Sequence, residues 1–123
     1  MIERFPLQTP LPISAAVRAG DFVFASGQAA LADDGSVIDG GIVPQTHKTI
    51  ERLLAAFKDA GCDPADVVKV TVWLDDPRDF AAFNKVYAEY FGKALPARSA
   101  LVSALVVDAK VEIEATAYKP RTA

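Results

Sequence analysis

Two stretches of the chain read as strands whose residues are apolar or small whichever way they point, and a third is apolar on one face and partly so on the other. In Phe22-Val23-Phe24-Ala25 both parities are apolar. In Ala100-Leu101-Val102-Ser103-Ala104-Leu105-Val106-Val107 both are apolar or small. In residues 67–74, Val68, Val70, Val72 and Leu74 make one dry face, while the opposite face still carries Val67 and Trp73. A sheet with one face in water shows alternation, and these strands do not. Only two segments have helical periodicity, and two helices cover one face of such a sheet. The remaining apolar face asks for a partner surface, since burial is worth roughly 25 cal/mol per Å². Self-association supplies it most simply, because closed homo-oligomers predominate.

The segments follow in a clear order. Pro6, Pro10 and Pro12 punctuate residues 1–13, which read as an extended amino-terminal arm. Residues 15–19 and 22–29 read as strands joined by a tight turn at Gly20-Asp21. Asp33-Asp34-Gly35 and Gly40-Gly41 mark a loop, with a short strand over residues 36–38 fitted between them. Pro44 suits a first helical turn; Ile50, Leu53, Leu54 and Phe57 follow at helical spacing, and Gly61 stops the helix. Val67 to Leu74 is a β-branched run, read as a strand. Asp76-Pro77 reads as the cap and first turn of a second helix, with Phe80, Phe83, Tyr87, Tyr90 and Phe91 on its apolar face and Gly92 at its end. Residues 98–107 and 110–118 read as two final strands joined in a hairpin at Asp108-Ala109. The order β-β-(β)-α-β-α-β-β predicts one α+β domain over residues 1–123, two helices lying on one face of a mixed sheet.

Charge and composition narrow the partners. The net charge of −3 comes with acids and bases interspersed, so no basic stripe is available for a phosphate backbone and no nucleic-acid partner is expected. A single cysteine, Cys62, excludes an internal disulfide and suits a reducing compartment. No apolar run has signal-peptide or membrane-spanning length, so a cytoplasmic protein without a membrane partner is expected.

The chemistry-bearing feature is Pro96-Ala97-Arg98-Ser99 followed by Val111-Glu112-Ile113-Glu114-Ala115. A guanidinium at a strand mouth grips planar carboxylates bidentately at any working pH. A glutamate on what should be the adjacent strand would direct a water. The plainer alternative is that Arg98 is a solvated rim residue and Glu112 part of a wet sheet face. His47, alone and without a ligand cluster, reads as a surface residue, so no metal is expected. Cys62 reads as inert, Lys110 and Arg18 as solvated, and the aromatic residues of the second helix as core rather than a stacking platform.

Ala25-Ser26-Gly27-Gln28, Asn84 within Phe80 to Tyr87, Pro96-Ala97-Arg98-Ser99 and Val111 to Ala115 occur in an order and spacing that resembles the RidA (YjgF) family of reactive-intermediate imine deaminases, once labelled endoribonuclease L-PSP. The resemblance runs from about Ser14 to Tyr118. It implies a chorismate-mutase-like fold and a homotrimer whose sheets line a central barrel, with pockets at the subunit clefts. It further implies that Arg98 grips a substrate carboxylate and Glu112 positions a water. Ser26, Gly27 and Asn84 build the pocket, backbone near Ala100 faces the imine nitrogen, and no metal or organic cofactor takes part. The implied ligands are small 2-imino and 2-oxo carboxylates, with 2-aminoacrylate and 2-aminocrotonate as enamine substrates.

The chain departs from the pattern at Ala100, where well-studied members carry cysteine. It also departs at Ile13-Ser14-Ala15, where many carry a tyrosine; Ser14 is the candidate for that wall. A turn at Val106-Val107-Asp108-Ala109 is one residue shorter than the family's, and a one-residue slip would reverse the face Glu112 occupies. Besides an imine deaminase, the same residues fit a non-catalytic module that captures small carboxylates. A ribonuclease is disfavoured by the acidic balance.

Overall fold

The computed structural model describes residues 1–121. Six strands form one mixed sheet in the order β1-β2-β3-β6-β4-β5. They are β1 (Ile2–Pro6), β2 (Ser14–Ala19), β3 (Phe22–Ala29), β4 (Val67–Leu74), β5 (Ala97–Val102) and β6 (Val111–Tyr118). Two helices, α1 (Ile42–Asp59) and α2 (Phe80–Phe91), pack on one face. The α+β class and the mixed sheet are as the sequence predicts.

Gly20, with φ 62°, turns β2 into β3, and the two pair antiparallel from Ala16↔Ala25 to Ala19↔Phe22. Ile50, Leu53 and Phe57 on α1 and Phe83 and Phe91 on α2 are fully buried against Val23, Val70, Val72, Val111 and Ile113 of the sheet. Gly61, at φ 84°, carries the chain away from α1 as expected. At the start of α2, the Asp76 carboxylate accepts from the backbone N–H of Arg78 at 2.9 Å and caps a short 3₁₀ turn, Pro77–Asp79.

Several expectations are corrected. Residues 1–13 are not all arm: Ile2 to Pro6 pair with β2 as an edge strand, and only the stretch from residue 7 to 13 is loop. The strand fitted to residues 36–38 reduces to a single bridge, Leu31↔Val37. Residues 98–107 end their pairing at Val102, and no hairpin joins β5 to β6. Instead β4 lies between them, parallel to β5 and antiparallel to β6. A register shift between Val67 and Lys69 reverses the parity at the start of β4, so Val67 is buried and Val68 is exposed.

Arg18 is not solvated. It is buried and donates to the carbonyl oxygens of Gly20, Lys119 and Ala60, satisfying a charge with backbone dipoles from three segments. The sheet face away from the helices is mixed rather than dry. It carries Phe22, Phe24, Leu101 and Tyr118, each 44 to 46% exposed, beside Lys69, Ser99, Glu112 and Glu114.

Candidate functional site

Arg98 pairs with Val70, whose side chain is buried beneath the helices, so the arginine rises on the helix face. There α2 presents Phe80, Phe83, Asn84 and Tyr87, spaced to share one stripe of the helix. Asn84 Oδ1 accepts from Arg98 Nη1 at 2.9 Å. The guanidinium carbon lies 4.7 Å from the Tyr87 ring centre, 5.5 Å from Phe80 and 5.8 Å from Phe83. Phe83 and Tyr87 belong to or pack against the core as expected, while Phe80 is exposed, and all three rings flank the guanidinium. Each such contact contributes about 0.5–2 kcal/mol and fixes the plane of the fork. Burial pushes the Tyr87 hydroxyl above the ordinary phenol range, with the positive charge of Arg98 pulling the other way.

Leu95 is a feature of the candidate site that the sequence did not announce. Its φ of 48° is the left-handed region, which costs a non-glycine residue roughly 1–3 kcal/mol. It precedes Pro96 and turns the chain from α2 into β5, which sets Arg98 at the strand mouth. Only a glycine there would have signalled the turn. Leu95, Pro96, Asn84, Tyr87 and Arg98 line a shallow cavity of about 290 Å³. Ala100, two residues along β5, lines a smaller apolar hollow with Leu74, Pro77 and Phe80.

Glu112 is built from different elements. It pairs with Ala29 of β3 and Trp73 of β4, on the face opposite the buried Val111 and Ile113. A bulge in β3 between Ala25 and Gln28 sets Ser26 and Gly27 apart from the ladder. The Ser26 hydroxyl donates to the Ser14 carbonyl at 2.6 Å, so Ser14 contributes its backbone to the site. A Cβ at position 27 would lie 2.7 Å from Glu112 Oε2, so only glycine lets the carboxylate rest there. Burial, and then the like charge of Glu114 on the same strand face, raise the Glu112 pKa above its ordinary 4.5. The carboxylate looks into a cleft of about 430 Å³ shared with Leu11, Ile13, Ser26, Gly27 and Val107.

The predicted residues thus fall into two groups. Arg98 and Asn84 share the helix face, with Ala100 nearby; Glu112, Ser26, Gly27 and Ser14 share the opposite side. Within one chain Arg98 and Glu112 do not converge, because β4 stands between their strands and they occupy opposite faces of the sheet. The expectation of adjacent strands is corrected accordingly.

His47 is tied to Tyr90 through Nδ1 at 2.7 Å, and Cys62 is buried with its thiol pKa pushed up by that burial. Among the described residues, no group of three His, Cys, Asp or Glu side chains is arranged to hold a metal. Neither helix is long and apolar enough to cross a membrane.

Residues 7–119 match the family model described as Endoribonuclease L-PSP. The chain is 46% identical over 110 residues to a RutC family protein of Pyrococcus abyssi, covering 88% of this chain and 87% of that one. It is 42% identical over 110 residues to the 2-iminobutanoate/2-iminopropanoate deaminase of Mus musculus, covering 88% and 82% of the two chains. The crystal structure of the E. coli YjgF gene product superposes with a TM-score of 0.82 at 32% identity, over 89% of this chain and 90% of that one. The chain belongs to the Endoribonuclease L-PSP family, also known as the YjgF/RidA family.

Proposed function

We propose that the protein hydrolyses small 2-imino acids, reached directly or from their enamine tautomers, to 2-oxo acids and ammonia, in sites formed between copies of the chain. The observation that carries this reading is the Arg98 guanidinium. It is held by Asn84 above three aromatic rings and faces a cavity, and among the described residues no carboxylate lies within 4.0 Å of it. Such a fork is already oriented for a ligand carboxylate. Glu112 supplies the complementary function, a carboxylate whose raised pKa makes it a better proton acceptor.

In this reading Arg98 of one copy orients the substrate, and Glu112 of a second copy lies across the 2-carbon. Glu112 takes a proton from water as the oxygen bonds to C2 and the C=N electron pair moves to nitrogen. The nitrogen is protonated, the C–N bond breaks, and ammonia leaves as the C2 oxygen becomes a carbonyl and gives up its proton. The carboxylate ends ionised. No group beyond water is consumed. The exposed apolar residues around Phe22, Phe24 and Tyr118 support association, and a homotrimer is the assembly proposed. Mass measurement in solution tests it directly.

The mouse relative's name supports the imine class of substrate. The net charge of −3 disfavours the RNA binding that the family's description suggests. To test the reading, 2-aminoacrylate is generated in situ by a dehydratase and 2-oxo acid formation is followed optically. Release faster than the uncatalysed rate, lost in Arg98→Ala, is expected. No acceleration by the unsubstituted protein would refute hydrolysis and leave a carboxylate-binding module.

A further inference from the structure

We propose that Arg52 gives the Glu112 cleft a second anion seat, so that the preferred ligands are 2-imino and 2-oxo acids with a second carboxylate at the far end of the side chain. The inference deepens the imine-hydrolysis reading and rests on it for the nature of the reacting group. Arg52 projects from α1 and is only partly exposed. Its Nε donates to Gln28 Oε1 at 3.2 Å and its Nη1 to the Leu31 carbonyl at 3.3 Å. Gln28 is itself buried, so this clamp is firm. Both acceptors are neutral. Among the described residues no carboxylate comes within 4.0 Å of the guanidinium, and Nη2 donates to none of them.

Arg52 and Glu112 line the same cleft. They are not an ion pair, since the Arg52 and Glu112 side chains do not come within 4.0 Å of each other. The two side chains are therefore separate poles of a cleft of about 430 Å³, large enough for a small diacid. On the other side of Arg52 a groove carries Asp33 and Asp59, whose charges disfavour an anion there and leave the Glu112 side as its place. A ligand held at its 2-imino carboxylate by Arg98 of another copy, with C2 at Glu112, would have its distal end in the cleft that Arg52 lines. An arginine fork rewards a second carboxylate there and gives nothing to an alkyl end.

The test compares 2-oxoglutarate with 2-oxobutanoate, stable product-like acids that differ at the distal end. Calorimetric titration of the intact protein is expected to show about tenfold tighter binding of 2-oxoglutarate. Arg52→Gln should shrink that gap to about twofold or less and leave 2-oxobutanoate affinity unchanged. Equal affinity for the two acids in the unsubstituted protein, or none for either, overturns the seat whether or not the variant folds. A gap that survives Arg52→Gln also overturns it. Turnover is measured separately, on imines generated from alanine and from glutamate by an amino-acid oxidase. If neither imine is hydrolysed while the binding gap and its loss in Arg52→Gln persist, hydrolysis fails and the Arg52 seat stands.

Discussion

Arg98 and Glu112 differ in how much of their setting a single chain provides. Around Arg98 the setting is nearly finished: Asn84 takes one donor, three rings from one helix lie beneath the plane, and a strained Leu95 fixes the strand mouth. Around Glu112 it is open. The acid rests on Gly27 at the edge of a broad cleft, close to a like charge and without a cation beside it. Two half-sites on opposite faces of one sheet cannot serve one small substrate. The proposed assembly resolves this by setting the helix-face half of one copy against the open-face half of another. In the proposed reaction the orienting half is thus built within one subunit, and the proton-handling half would need a second copy to complete it.

The largest effect is expected when the two halves are divided between chains. Arg98→Ala and Glu112→Gln, each inactive alone, should regain roughly a quarter of the full rate when unfolded and refolded together in equal amounts, as random mixing in a closed ring restores that share of intact pairs. No recovery in refolded mixtures of the correct mass would mean that each chain carries its own complete site.

Glu112→Gln alone should lower kcat by about 10²-fold or more, down to the uncatalysed rate, with affinity for 2-oxobutanoate retained. The same variant has a stability signature. The folded protein holds the Glu112 proton more tightly than the unfolded chain does. Its stability therefore falls as pH rises from 4.5 through the raised pKa and is level above it. Thermal melts should show this drop in the unsubstituted protein and its absence in Glu112→Gln, which should be at least as stable at pH 7. A variant that melts lower at neutral pH would mean the carboxylate is structural.

Gly27→Ala should cost about tenfold in kcat with little change in melting temperature, because the clash falls on the mobile end of Glu112 rather than on backbone. Unchanged kinetics would show that the resting position of the carboxylate is not the working one. Glu114→Gln should have the smallest effect. Removing the like charge lowers the Glu112 pKa, so the acid limb of the pH–rate profile moves to lower pH. A limb that stays in place would assign it to another group.

Much of the fold was legible because its signals are local. The β-branched run 67–74 and the Gly20-Asp21 turn before residue 22 gave β4 and β3 their observed limits. The last two strands were misread for the converse reason: nothing in residues 98–118 reports that β4, far earlier in the chain, lies between them. Arg18 was misread because three carbonyls distant in sequence satisfy it. In the candidate site, the sequence did not report that Arg98 and Glu112 occupy opposite faces, because that follows from β4 standing between their strands. Arg52 was passed over because a guanidinium midway along an amphipathic helix reads as solvated until the acceptor beside it is known.

The place of β6 has a consequence for biosynthesis. It lies between β3 and β4, yet it follows both in the chain. Until it is available, the β1-β2-β3 meander and the β4-α2-β5 unit share no strand pairing and meet only through α1. Each presents a raw hydrogen-bonding edge while it waits. The chain is most open to wrong pairing just before that seam arrives, and a released chain ending short of residue 111 should hold two sheets joined only through α1, with exposed edges and raised protease sensitivity between them.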